Sequence, residues 1–335
     1  MVKKMMIAVL VVLIVSGMAF ATGAQQSSGG QQQQQQKYLL KAGTVLTETD
    51  PLYQGLLLFQ KNVMQRTNGN VEVQVFSSSQ LGSDEDVIEQ ARIGTNVAVT
   101  TEAGRLSAYV PEFAIFGAPY LINSTAEIDK VLATQAFKDL AAKLEQQGLH
   151  ILSYNWFQGE RHLFTKVPVA KPVDARGVRI RSMGTPVANY TLEAMGGNPV
   201  ALPWSEAYQG LQTRAVDAVE VHYSAAIGAS IPEVTSYLQK TAHFYLMTGL
   251  VCSQKWFESL PPEYQKIISE EAYNGGASAT RGVIENDAKF EKQLTDAGLT
   301  INPIDKQSFV DACAGVYDKL GLGDLKRRID REMGR

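Results

Sequence analysis

The sequence predicts an α/β protein of two lobes that share a closing cleft, and three observations carry that expectation. Strand and helix signals alternate from residue 38 onward, and the alternation restarts after about residue 158. A strand-like return at 244–256 is followed by an unusually long helix signal, Pro262 to about Ala297, broken only weakly at Gly275-Gly276. Such alternation builds a parallel sheet covered by helices. A helix that long suits an element spanning both lobes. Two returns between the lobes imply a hinge crossed more than once, hence lobes that close on each other.

The first residues read apart from the fold. Lys3 and Lys4 precede the apolar run Met5–Val15, and Ala19-Phe20-Ala21 follows a Ser16-Gly17 break. This is the pattern of a secretory signal peptide over 1–24, its apolar run shorter than the ~20 residues a membrane span needs. Residues 25–37, with glutamine throughout 31–36, have no apolar side chain to offset ordering entropy and read as a flexible tether.

Tyr38–Val45 then reads as a strand. Asp50 is placed to cap a helix that has Pro51 at its first position and ends before Gly69. Val71, Val73 and Val75 alternate as a strand should. Ser83 and the acidic first turn Asp84-Glu85-Asp86 open a helix ending near Gly94, and Val97 and Val99 mark a third strand. One helix is expected from Ser124-Thr125 to about Gln147, then a strand at 150–157. The second set comprises strands at 161–166 and 178–182, a helix at 186–195, an apolar step at Pro199–Leu202, a helix from Ser205 to about Thr213 and a strand at 215–221. The lobes are therefore expected at 38–158 plus 247–286, and at 159–246 plus 287–335.

Composition narrows the function. With 31 Lys and Arg against 34 Asp and Glu the formal charge is −3, so no basic stripe is available for nucleic acid. Cys252 and Cys313 make no disulfide framework, and Cys252 in GLVCS reads as a small buried apolar residue. No nucleophile elbow, zinc-helix motif, P-loop or dinucleotide fingerprint occurs, so an enzyme is not expected. His150, His162, His222 and His243 are too scattered for a metal cluster. No cofactor or metal is expected, and a monomer is.

The segment RGVRIRSMG (176–184) carries the sharpest chemical signal. On a strand, Arg179 and Arg181 share one face while Val178 and Ile180 share the other. Either arginine could offer its planar fork to a carboxylate in the cleft, or lie solvated along the sheet. Arg161 in GERHLF is a weaker candidate of the same kind. Trp204, between Pro203 and Ser205, could wall a pocket or cover the core edge. Glu102, just past the third strand, stands where open α/β sheets bind ligands, or pairs with Arg105.

Five further stretches carry a family resemblance: TNGNVEVQVFSSSQLGSDEDVIEQARIG (67–94), PEFAIFGAPYLI (111–122), DARGVRIRS (174–182), NPVALPWSEAYQGLQTRAVDAVE (198–220) and SLPPEYQKII (259–268). In order and spacing the chain resembles the solute-binding subunits of tripartite ATP-independent periplasmic (TRAP) transporters, of the dicarboxylate and sialic-acid receptor type. The resemblance implies a periplasmic two-lobe flytrap that closes on a small carboxylate and delivers it to membrane permease subunits. It places the carboxylate-gripping arginine at Arg181, a second arginine at Arg161, a pocket aromatic at Trp204 and a hydroxyl-contacting glutamate at Glu102. Glu220 belongs to the same motif. Where many relatives read VDGxEN this chain reads VDAVEVHY, so Val221 replaces an asparagine and His222 or Tyr223 is left to substitute. The implied ligand is a sugar acid such as a uronate, or a dicarboxylate. A receptor for an ATP-driven importer, a membrane sensor and an exported hydrolase are the competing readings.

Overall fold

A computed structural model of the chain describes residues 37–335. The signal peptide expected at 1–24 and the tether, up to residue 36, lie outside the described residues. The first lobe opens with β1 (Tyr38–Gly43), α1 (Pro51–Arg66), β2 (Val71–Phe76), α2 (Asp84–Arg92), β3 (Val97–Glu102) and the single turn α3 (Ala103–Leu106). The caps expected from sequence form: Asp50 Oδ1 accepts from Leu52 N (2.9 Å), and Ser83 and Asp86 make a capping box. After a 3₁₀ stretch at Pro111–Gly117 come α4 (Ala126–Ala133) and α5 (Gln135–Gln146). The single helix expected over 125–147 is thus two. Thr134 takes an extended conformation between them, and its hydroxyl caps α5 by accepting from Phe137 N.

The two strands expected at 150–157 and 161–166 are one, β4 (Leu149–Thr165). Register shifts between Ile151 and Ser153, Ser153 and Trp156, Phe157 and Gly159, and Arg161 and Leu163 interrupt its alternation, which is why it reads as two in sequence. The second lobe follows with β5 (Arg179–Ser182), α6 (Pro186–Ala194), β6 (Asn198–Ala201), α7 (Ala207–Gln212), β7 (Ala218–Val221) and α8 (Tyr223–Gly228). The chain returns along β8 (Tyr237–Ser253), which begins earlier than the expected 244, and continues through α9 (Gln254–Glu258) into α10 (Pro262–Asp296). It ends with β9 (Thr300–Ile301), α11 (Lys306–Cys313), α12 (Val316–Lys319) and α13 (Gly323–Met333).

One mixed sheet runs through both lobes in the order β2-β1-β3-β8-β4-β7-β5-β6, with β9 beside β8. β1 is parallel to β2 and β3, and β5 is parallel to β6 and β7. Between these parallel groups stand β4 and β8, antiparallel to each other and 17 residues long apiece. These two strands carry the chain between the lobes, so the hinge is a kinked ribbon rather than a loop.

α10 binds the assembly along its length, packing on α1, β4 and α8. Its Gly275-Gly276 step is where it crosses α1. A Cβ on Gly55 would sit 2.7 Å from the Gly275 carbonyl oxygen, and one on Gly276 2.6 Å from Asn155 Oδ1. Fully buried Trp156 fills the junction and donates Nε1 to Ser153 Oγ at 2.8 Å. The last helix differs from expectation. α13 packs on α4 and α5, with Glu332 accepting from Ala136 N (3.0 Å) and Arg328 paired to Asp139 (2.7 Å). It therefore covers elements assigned to the first lobe, although the sequence grouped 287–335 with the second. Cys252 and Cys313 are both buried and free.

Candidate functional site

A cavity lies between the lobes, lined by side chains of both. It opens at the carboxyl ends of β1, β3, β5 and β7, where the parallel geometry of each lobe aims the following loops. Three guanidinium groups line it, those of Arg105, Arg161 and Arg181. Their partners differ, and that difference defines the site.

Arg161 comes from the bulged middle of β4 and Glu220 from β7. Arg161 donates through Nε to Glu220 Oε2, and through Nη2 to Glu220 Oε1 (2.7 Å) and to the Glu220 carbonyl (2.6 Å). Glu220 is fully buried and does not line the cavity. Burial pushes its carboxyl up, but Arg161 and His243, whose Nε2 lies 3.6 Å away, outweigh burial and hold it at about 2. Glu220 is the counter-ion that orients Arg161.

Arg105 on α3 donates to Glu85 (2.6 Å) and Glu102 (3.0 Å) and lies 3.5 Å from Asp84. Both readings of Glu102 meet here: it lines the cavity and is also committed to Arg105. Its carboxylate accepts from Gly104 N (2.5 Å) and Arg105 N (3.1 Å), capping α3 as well. In the sequence Arg105 reads only as a partner for Glu102, and Asp84 only as a helix-opening acid.

Arg181 is different. It is 2 % exposed, its Nε donates to the Leu202 carbonyl (2.9 Å), and its guanidinium lies 5.4 Å from the Trp204 ring centroid. Its Nη2 is buried without a hydrogen-bond partner, and among the described residues no carboxylate pairs with it. Burial lowers its pKa to about 9, with Glu220 the main opposing influence. Arg179, two residues earlier on β5, is exposed and paired with Asp217 at 2.8 and 2.9 Å. The strand thus separates one solvated ion pair from one buried charge that lacks an anion.

His222 lines the cavity, with neither ring nitrogen hydrogen-bonded; Asp50 lies 3.8 Å from Nε2, and burial lowers its pKa. Tyr223 does not line the cavity, because its hydroxyl donates to Glu291 on α10 (3.0 Å). Val221, standing where the resemblance expects asparagine, presents an aliphatic wall. Thr100, Thr101, Gln158 and Met183 also line the cavity and carry no signal in the sequence. The expected helix from Ser205 begins instead as a 3₁₀ turn at Trp204–Glu206 with no side-chain cap. Among the described residues no group of three or more His, Cys, Asp or Glu could hold a metal ion.

A two-lobe α/β frame with a buried, anion-seeking pocket at the interface defines a solute-binding protein. The chain matches the family model of bacterial extracellular solute-binding protein, family 7, over residues 42–323, and it belongs to that family. It is 28% identical over 293 residues to the 2,3-diketo-L-gulonate-binding periplasmic protein YiaO of Escherichia coli (strain K12), covering 87% of this chain and 89% of that one. A TRAP periplasmic solute-binding protein from Escherichia fergusonii, in an apo open structure, is 40% identical, with a TM-score of 0.77 over 88% of this chain and 99% of that one. One from Ochrobacterium anthropi, with bound L-fuconate, is 28% identical, with a TM-score of 0.86 over 89% and 100%. These relatives are receptors, not enzymes.

Proposed function

We propose that the protein is exported by its signal peptide to the periplasm and there captures a small organic acid, a sugar acid such as a uronate or else a dicarboxylate, for TRAP membrane permease subunits. The lobes divide within β4 and β8, and closure brings Arg181 and Trp204 of one lobe against Glu102 and Arg105 of the other. The single observation that carries this reading is the buried Arg181 guanidinium with an unpartnered Nη2 in the cavity. Leaving such a donor unsatisfied costs about 1–3 kcal/mol or more, which an incoming carboxylate recovers. Arg161, held by Glu220, supplies a second donor face, and His222 closes the far wall. The sugar acids named with two of the relatives, L-fuconate and 2,3-diketo-L-gulonate, suit one carboxylate on one guanidinium. A melting-shift screen over uronates, aldonates, C4-dicarboxylates, 2-oxo acids and sialic acid tests the reading. At least one acid is expected to raise the melting temperature of the wild type and to leave Arg181→Ala unmoved. Wild-type binding by that variant overturns it.

A further inference from the structure

Asp84 is a buried carboxylate in the same cavity that the carboxylate grip does not use. It sits at the first position of α2, 4 % exposed, with Oδ2 3.5 Å from Arg105 Nη1 and Oδ1 without any hydrogen-bond partner. The neighbouring carboxylate, Glu102, is already committed to two backbone N–H groups and to Arg105. Asp84 Oδ1 is therefore an unspent acceptor, as Arg181 Nη2 is an unspent donor. A ligand that satisfies both carries one carboxylate and, elsewhere on its chain, a hydroxyl that donates.

We propose that Asp84 is the specificity-determining residue of this pocket, accepting from a ligand hydroxyl and excluding acids with a second negative charge. The proposal rests on the Arg181 grip and narrows its substrate class to monoanionic polyhydroxy acids. A second carboxylate reaching the Asp84 end would meet Asp84 and Glu102 together, with Arg105 already shared among three acids and Arg181 already holding the first carboxylate. The charged groups around Asp84 are Arg105 on α3, Glu85 beside it on α2, Glu102 at the end of β3 and Arg181 on β5. Burial raises the Asp84 carboxyl to about 6 against the pull of Arg105. The exclusion is therefore strongest above that range and fades as pH falls through it, when Asp84 takes up a proton.

The test uses matched pairs that differ only in oxidation of the terminal carbon: galactonate and galactarate, gluconate and glucarate, mannonate and mannarate. Calorimetry on the mature protein at pH 7.5 is expected to show an aldonate bound about a hundredfold more tightly than its aldarate. Asp84→Asn is expected to shrink that gap to about tenfold or less, since the amide keeps the shape and removes the charge. Arg181→Ala should abolish binding of both members, which reports on the grip separately. If Asp84→Asn does not fold, the wild type alone decides: from pH 7.5 to 5.5 aldarate affinity should rise relative to aldonate. The proposal is overturned if the wild type binds no aldonate or binds aldarates equally well, if Asp84→Asn preserves the gap, or if the ratio is flat with pH.

Discussion

At the scale of single residues, the site is a distribution of three positive charges over fewer positions than its acids could serve. Arg161 has a dedicated counter-ion in Glu220, Arg105 has three acids, and Arg181 has an aromatic face and a carbonyl. The buried Arg161–Glu220 pair should resist losing one partner. Glu220→Gln is expected to lower stability by about 3 kcal/mol, read as a fall in melting temperature, because Arg161 is left buried opposite a neutral amide. The pH sign follows from the depressed carboxyl. Glu220 contributes stability above its ordinary range near 4.5, and that stability is lost as pH falls towards about 2. The wild type should therefore lose stability over that window more steeply than Glu220→Gln, and parallel acid-unfolding curves would refute the assignment. Arg181 stands out as a candidate in the sequence because strand periodicity and a family motif coincide on it, and it lines the cavity. Asp84 was not, because an acid in a helix's first turn already has an adequate local explanation.

At the scale of elements, legibility followed local chemistry. The caps of α1 and α2 and the span of α10 could be read directly, since Asp50, Pro51, Ser83 and Pro262 act on their own neighbourhoods. β4 could not be read as one strand, because its bulges break the period of two and Gly159 at φ 130° resembles a turn. Neither could the seating of α13, which depends on a partner surface about 190 residues away in sequence. Gly275-Gly276 shows how a correct local reading inverts in tertiary context: a weak point for an isolated helix is the contact point of a packed one. Two effects oppose each other when a methyl is added at Gly55. Helix propensity gains at most about 1 kcal/mol, whereas overpacking against the Gly275 carbonyl and Trp156 costs about 1–3 kcal/mol. Gly55→Ala should therefore lower the melting temperature by a few degrees, and an unchanged or raised value would show that α1 and α10 slide apart cheaply.

At the scale of the molecule, the proposed receptor exchanges an open for a closed arrangement, and affinity then depends on what only the closed arrangement contains. One such contact lies away from the ligand cavity's arginines. Asp50, at the head of α1, spends Oδ1 on Leu52 N and accepts from Ser224 Oγ of α8 with Oδ2, at 2.8 Å and buried. The first bond belongs within one lobe; the second joins elements on opposite sides of the β4–β8 ribbon. Ser224→Ala removes only the second, so α1 keeps its cap and Arg181 keeps its surroundings. A buried hydrogen bond to a carboxylate contributes about 1.5–3 kcal/mol, and on the proposed reading it forms only when the lobes meet. The variant should bind the screened acid about ten- to a hundredfold more weakly, mainly through faster dissociation, with its ligand-free melting temperature nearly unchanged. Small-angle scattering should show the wild type contracting on ligand addition and the variant contracting as far, but at higher ligand concentration. Equal affinities for the two proteins would place Asp50–Ser224 within a rigid part of the frame and move the closing contacts to the Arg105–Met183 and Gly104–Thr185 edge of the cleft.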